Sequence, residues 1–202
     1  MLGYLRLVKN QVILNIGQKR VFVNGRLRLN FYGKRKVINK MEIELNENFK
    51  EFIELLNAKK VKYLVVGGFA VGLYGYPRYT GDFDVWVQPD LENGKKVISV
   101  LKEFGFGSLK VSEKDFLSDD LILQFGYPPL RIDVLTGISG VVFSQCYLRR
   151  KRTKLGGSWI SLIHLTDLMI NKKNTGRPED LFDVKKLEQI KLNGKKNTKK
   201  KR

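Results

Sequence analysis

Cysteine, histidine and proline are scarce in this chain, which has one Cys, one His and five Pro among 202 residues. A lone cysteine, Cys146, excludes an internal disulfide framework and suits a reducing compartment, so a cytoplasmic protein is expected. Its thiol is expected to pack as a small apolar group rather than act as a nucleophile. His164 and Cys146 alone cannot furnish the ligands of a zinc site. His164 stands just before an expected helix and reads as a structural or capping residue. No apolar run reaches the ~18 residues that span a bilayer, so no membrane partner is expected. Arg6 and Lys9 interrupt the apolar residues near the N-terminus, which excludes the apolar centre of a signal peptide.

Acid is missing from both ends. Residues 1–40 hold ten Lys/Arg and residues 191–202 hold seven, with no Asp or Glu in either segment. That leaves 21 basic and 20 acidic residues in 41–190, a net of +1 within a chain whose total is +18. Two readings of 1–40 stand beside each other. One is a basic arm that contacts RNA phosphates, with a hairpin at Arg20–Leu29 turning on Asn24-Gly25. The other, which is favoured, places the authentic start at Met41 and treats 1–40 as a basic N-terminal extension without a selected fold. Residues 191–202 read as a disordered basic tail.

The body, 41–190, reads as one domain. Phe49, Phe52, Ile53 and Leu56 follow helical spacing, and Asn48 with Glu51 resembles a capping pair. Tyr63 to Val66 is a short apolar strand that runs into Gly67-Gly68, with a short helix expected over 69–74. A strand is expected over 82–88 and a helix over 91–104, with Val97, Ile98, Leu101 and Phe104 inward. Two further strands, 121–125 and 130–135, flank the turn signal Gly126-Tyr127-Pro128-Pro129. A helix over 141–150, a strand over 158–163 and helices over 166–173 and 178–190 complete the pattern, the last with Pro178 in its first turn. This order predicts an α+β fold, a mixed β-sheet with helices packed mainly on one side.

The chemistry lies in Gly67-Gly68, thirteen residues, then Asp82-Phe83-Asp84-Val85, with Asp133 in a later strand. Side chains two apart share one face of a strand, so Asp82 and Asp84 project together while Phe83, Val85 and Val87 enter the core. Asp133 completes the cluster. Carboxylates converging without a basic partner repel, and a hard divalent cation such as Mg²⁺ resolves this while keeping positions for substrate phosphates. Gly67 and Gly68 let backbone amides approach an anion. Arg78 is expected to pair with a triphosphate, and Thr80 to bond a phosphate or orient Asp82. Arg131 alternates onto the face of Asp133 and can pair with a carboxylate or a phosphate.

These motifs resemble those of the DNA polymerase β-like nucleotidyltransferase superfamily. Gly75-Tyr76-Pro77-Arg78-Tyr79-Thr80-Gly81-Asp82, Pro128-Pro129-Leu130-Arg131-Ile132-Asp133 and Gly176-Arg177-Pro178-Glu179-Asp180-Leu181 are similar to a small prokaryotic branch, some of whose relatives are toxins or antitoxins. The likeness covers about 46–190. It implies that Asp82 and Asp84 hold two Mg²⁺ ions and the NTP, and that Asp133 binds the catalytic metal and helps activate an acceptor hydroxyl. Lys172 would neutralise the triphosphate, and Asp180 with Arg177 would orient it or an acceptor. Against that stands a surface salt-bridge set at a helix junction. Gly-Gly-Phe replaces the more usual Gly-Ser, removing a hydroxyl from the phosphate pocket.

The expected activity is Mg²⁺-dependent transfer of NMP from an NTP to a hydroxyl of a tRNA-like RNA or of a protein, with a cognate toxin or antitoxin as partner. The near-neutral body, without an extended basic stripe, argues against a processive polymerase. A non-catalytic binding module and an RNA-binding factor working through the basic termini are the alternatives.

Overall fold

The computed structural model describes residues 5–8, 11–14, 46–127 and 130–199. The expected hairpin at 20–29, the Met41 start and the Pro128-Pro129 pair lie outside the described residues. Strands β1 (Leu5–Val8) and β2 (Gln11–Leu14) pair antiparallel, and β2 runs parallel to a later strand of the main sheet.

Helix α1 (Glu47–Ala58) starts one residue before the expected cap. Asn46 is the N-cap, and its side-chain oxygen accepts from the Asn48 amide at 3.0 Å, so the Asn48/Glu51 pair is not the cap. Phe49, Phe52, Ile53 and Leu56 are buried as their spacing predicts. Fully burying each of these side chains is worth about 1.5–3 kcal/mol, enough to fix which face of α1 meets the sheet. Strand β3 (Tyr63–Val65) follows, then α2 (Gly67–Leu73) and strand β4 (Asp82–Val87). Phe83, Val85 and Val87 are fully buried. Phe83 stacks on Phe49 at 4.9 Å and meets Phe69 edge-on at 5.1 Å, which seats α1 and α2 on that face.

Helix α3 (Leu91–Leu101) is capped by Asp90 and gives way at Lys102 to a π-type turn containing Gly105 at φ 101°. That positive φ suits glycine and breaks the helical run just after Phe104, where the helix was expected to end. Strands β5 (Ile122–Tyr127) and β6 (Leu130–Leu135) pair antiparallel out to Tyr127↔Leu130. Helix α4 (Phe143–Leu148) is shorter than expected. It is followed by a strand that apolar patterning could not reveal, β7 (Lys151–Leu155), whose only buried residue is Leu155. β7 pairs antiparallel with β8 (Ser158–Leu162), and β8 runs parallel to β3 through Val65↔Leu162.

Helix α5 (Leu165–Thr175) is capped by His164, whose Nδ1 accepts from the Thr166 amide at 3.3 Å. Helix α6 (Pro178–Lys199) continues through most of the segment expected to be a disordered tail. No proline stops it. The sheet order is β1-β2-β5-β6-β4-β3-β8-β7, a mixed sheet in an α+β fold. Trp86 lies on the opposite face from Phe83. Its Nε1 donates to the Thr136 carbonyl at 2.9 Å, and its ring meets Phe143 of α4 at 5.0 Å.

Candidate active site

β4 and β6 are parallel, with Asp82 opposite Arg131 and Asp84 opposite Asp133. Partners in register project from the same face, so the three carboxylates and the guanidinium gather on one side of the sheet. Arg131 pairs with carboxylates, one of the two partners expected for it on the face of Asp133. Its Nε lies 2.7 Å from Asp133 Oδ1, and its Nη2 lies 2.9 Å from both Asp133 Oδ2 and Asp82 Oδ2. Gln124, across from Asp133 on β5, donates to Oδ2 at 3.1 Å. The Arg131 amide donates to the Gly81 carbonyl at 2.9 Å, tying β6 to the loop that leads into β4.

Asp84 is treated differently. Among the described residues its carboxylate has no hydrogen-bond or ion-pair partner. Burial first, then the charges of Asp133 and Asp82, push its pKa up to about 6. Burial also raises the carboxyl of Asp82, against the pull of Arg131. The guanidinium of Arg131 is held protonated chiefly by its hydrogen bond to Asp133.

The glycines bring the backbone against this cluster. Gly67 has φ +65°, and a Cβ there would lie 1.8 Å from Asp84 Oδ2. At Gly68 a Cβ would lie 2.9 Å from Thr80 Oγ1 and 3.0 Å from Arg78 Nη2. Residues 75–81 therefore fold over the start of α2. Of the two contacts expected for Thr80, the one to Asp82 is made through the backbone, its Oγ1 donating to the Asp82 carbonyl at 3.3 Å. Arg78 is likewise engaged within the protein. Its Nε and Nη2 each lie 3.0 Å from Asp183, and Nη1 lies 2.6 Å from Glu179.

Lys172 and Asp180 form a salt-bridge set, but a buried one rather than the surface set weighed above. Lys172 Nζ lies 2.6 Å from Asp180 Oδ1 and 2.9 Å from Asp183 Oδ2. Lys172, Asp180 and Asp183 are all buried. Arg177, largely exposed, donates to Asp180 at 2.6 Å. The network couples α5 and α6 to Arg78, and the positive charge of Lys172 acts on Asp84. Asp183 was missed in the sequence because it sits mid-helix among ordinary charged residues. Its spacing three residues after Asp180, on one helix face, was the available signal. A separate pair joins buried Asp167 to exposed Arg149, at 2.8 Å, beside Cys146. Burial pushes the Cys146 thiol up to about 11, which fits a packing role.

Among the described residues no group of three or more His, Cys, Asp or Glu is arranged to hold a metal ion. Arg131 occupies the space between Asp82 and Asp133. The donor chemistry still fits a hard cation. All three candidate ligands are carboxylates, and Asp84 carries a charge that its surroundings oppose and a cation would relieve.

Solved structures with some likeness to the chain include two nucleotidyltransferase structures. The lincosamide antibiotic adenylyltransferase LnuA, in its lincomycin-bound form, is 18% identical with a TM-score of 0.47, over 73% of this chain and 98% of its own. A Thermotoga maritima protein assigned to the nucleotidyltransferases is 17% identical with a TM-score of 0.34, over 71% of this chain and 88% of its own. No protein-family model matches the chain, and no curated protein matches it.

Proposed function

We propose that this chain is a metal-dependent nucleotidyltransferase that moves NMP from an NTP to an acceptor hydroxyl. One observation carries the reading. Asp84 and Asp133 are direct partners in the β4–β6 ladder, with Asp82 on the same face. Gly67 keeps the side of Asp84 clear of any side chain.

In this reading Asp82, Asp84 and Asp133 hold Mg²⁺, whose chemistry is to neutralise the triphosphate and polarise the transferred phosphoryl group. Asp133 accepts the proton of the acceptor hydroxyl. The hydroxyl oxygen bonds to the α-phosphorus, the bond to the bridging oxygen breaks, and pyrophosphate leaves. Arg131, beside Asp82 and Asp133, supplies a cation next to the transferred phosphoryl group. Gly67 and Gly68 leave room for the phosphates. Arg78, Thr80, Lys172 and Asp180 brace the loop and helices around the site rather than meet the nucleotide directly. RNA or protein supplies the hydroxyl, and a cytoplasmic toxin–antitoxin pairing belongs to the same reading through the motif resemblance.

A second reading is favoured by the position of Arg131. A guanidinium that already bridges Asp82 and Asp133 is what a non-catalytic binding module would keep. Incubating the chain with Mg²⁺, each α-³²P-labelled NTP, total tRNA and extract protein separates the two. Label on RNA or protein that vanishes in Asp84→Ala supports transfer. Absence of label together with absence of NTP binding selects the binding module.

A further inference from the structure

The near-neutral charge of the body conceals a local concentration. Five of the six residues from Arg149 to Lys154 are basic. Arg149 is committed to Asp167, and Arg150 donates to the Tyr147 carbonyl at 2.6 Å. Lys151, Arg152 and Lys154 are exposed on β7, and among the described residues none of them has a carboxylate within ion-pair distance. β7 ends the order of the sheet, so its outer edge is not paired with another described strand.

The register fixes where these cations point. Arg152 lies opposite Ser161 and Lys154 opposite Trp159. Partners share a face, so Arg152, Lys154 and Trp159 project together. Trp159 is 48% exposed, unusual for so large an apolar ring. The Arg152 guanidinium lies 5.3 Å and the Lys154 ammonium 5.2 Å from its centre. An indole between two cations on an open strand is a surface for alternating planar bases and phosphates.

The same face carries the carboxylates. Leu162 pairs with Val65, and Val65 with Val85. Leu162 therefore shares a face with Val85, which leaves Ser161 and Trp159 on the face of Asp84. Trp159, on β8, stands two strand spacings from β4, about 10 Å across the sheet, and about 13 Å along it from Asp84.

We infer that the β7–β8 hairpin binds single-stranded RNA, with a base stacked on Trp159 and phosphates on Arg152 and Lys154, and so presents an RNA hydroxyl as the acceptor. The acceptor role rests on the transferase reading; the binding surface does not. An acidic peptide would satisfy the cations but make no use of the exposed part of the indole.

The chain has two tryptophans, and Trp86 is buried, so Trp159 dominates any ligand-dependent fluorescence change. Full-length protein is titrated into a fluorescein-labelled 12-mer oligo(U) RNA between 50 and 300 mM salt, with affinity read from the anisotropy of the label and quenching from Trp159 of the native chain. Nucleotide binding is measured in parallel with a fluorescent ATP analogue and Mg²⁺. Expected are quenching by RNA, a roughly tenfold loss of affinity in Trp159→Ala with recovery in Trp159→Phe, and a salt slope shallower by about 1.4 in Arg152→Ala/Lys154→Ala. RNA affinity unchanged in both variants would assign binding to the basic termini and overturn the inference, as would preference for poly-Glu over RNA. Nucleotide binding without RNA binding overturns this inference alone. Trp159-dependent RNA binding without nucleotide binding supports the surface and removes the transferase reading.

Discussion

Arg78 and Asp183 stand 105 residues apart in sequence, yet the guanidinium meets the carboxylate through Nε and Nη2 at 3.0 Å each. This pair fastens the loop before β4 to α6, and Asp183 is fully buried where it also meets Lys172. Removing one member of a buried ion-pair network leaves the others uncompensated. Asp183→Ala is therefore expected to cost about 3–5 kcal/mol, read from urea denaturation. A loss near zero would show that Arg78 and Lys172 find other partners.

The same network predicts a pH dependence. Burial opposes ionisation of Asp180, but hydrogen bonds from Arg177 and Lys172 outweigh it and hold the carboxyl below its ordinary value of 3.8. A depressed folded-state pKa contributes stability above the unfolded value, and that contribution disappears as pH falls through the folded one. Thermal unfolding of the native chain and of Asp180→Asn should therefore converge as pH is lowered below about 4. Curves that stay parallel would remove Asp180 as a source of acid sensitivity.

Gly67 tests how closely backbone and carboxylate are matched. With φ at +65° and Asp84 Oδ2 where a Cβ would stand, Gly67→Ala strains the backbone and displaces the carboxylate together. A stability loss of about 1–2 kcal/mol is expected from the conformation alone. The loss of nucleotidyl transfer should be larger than that of Gly72→Ala, whose Cβ meets nothing within 4 Å. Equal activity in both would separate Gly67 from the site.

Much of this arrangement was legible beforehand because it rests on local periodicity. Alternation in Asp82-Phe83-Asp84-Val85 placed two carboxylates outward and two apolar side chains inward, as found. The burial of Phe49, Phe52, Ile53 and Leu56 followed the same logic with helical spacing. Long-range partners were harder to read. Nothing local in Arg78 or Asp183 names the other, and Lys172, expected at a triphosphate or in a surface salt-bridge set, is enclosed by α5 and α6. β7 escaped notice because Lys151-Arg152-Thr153-Lys154 has almost no apolar face, the usual condition of an edge strand. Dividing the charge among three segments located the basic ends but averaged away the basic hairpin in the body.

Asp84 offers the clearest distinction between a site kept for function and one kept for stability. Its pKa is raised from 3.8 to about 6, so the folded state resists its ionisation. A group with a raised folded-state pKa makes the folded chain bind more protons across that interval, and its contribution to stability falls as pH rises through it. Replacing Asp84 by Asn removes the charge while keeping the shape. Above about pH 6 the Asn variant should melt higher than the native chain, by roughly 2–5 °C, and below about pH 4 the difference should vanish. Adding Mg²⁺ should raise the melting temperature of the native chain and leave that of the variant unmoved, since a cation stabilises only the state that binds it. Transfer activity should be lost in the more stable protein. A variant that melts lower at neutral pH would mean that the Asp84 carboxylate supports the fold, and the cluster would then be a structural feature of the sheet.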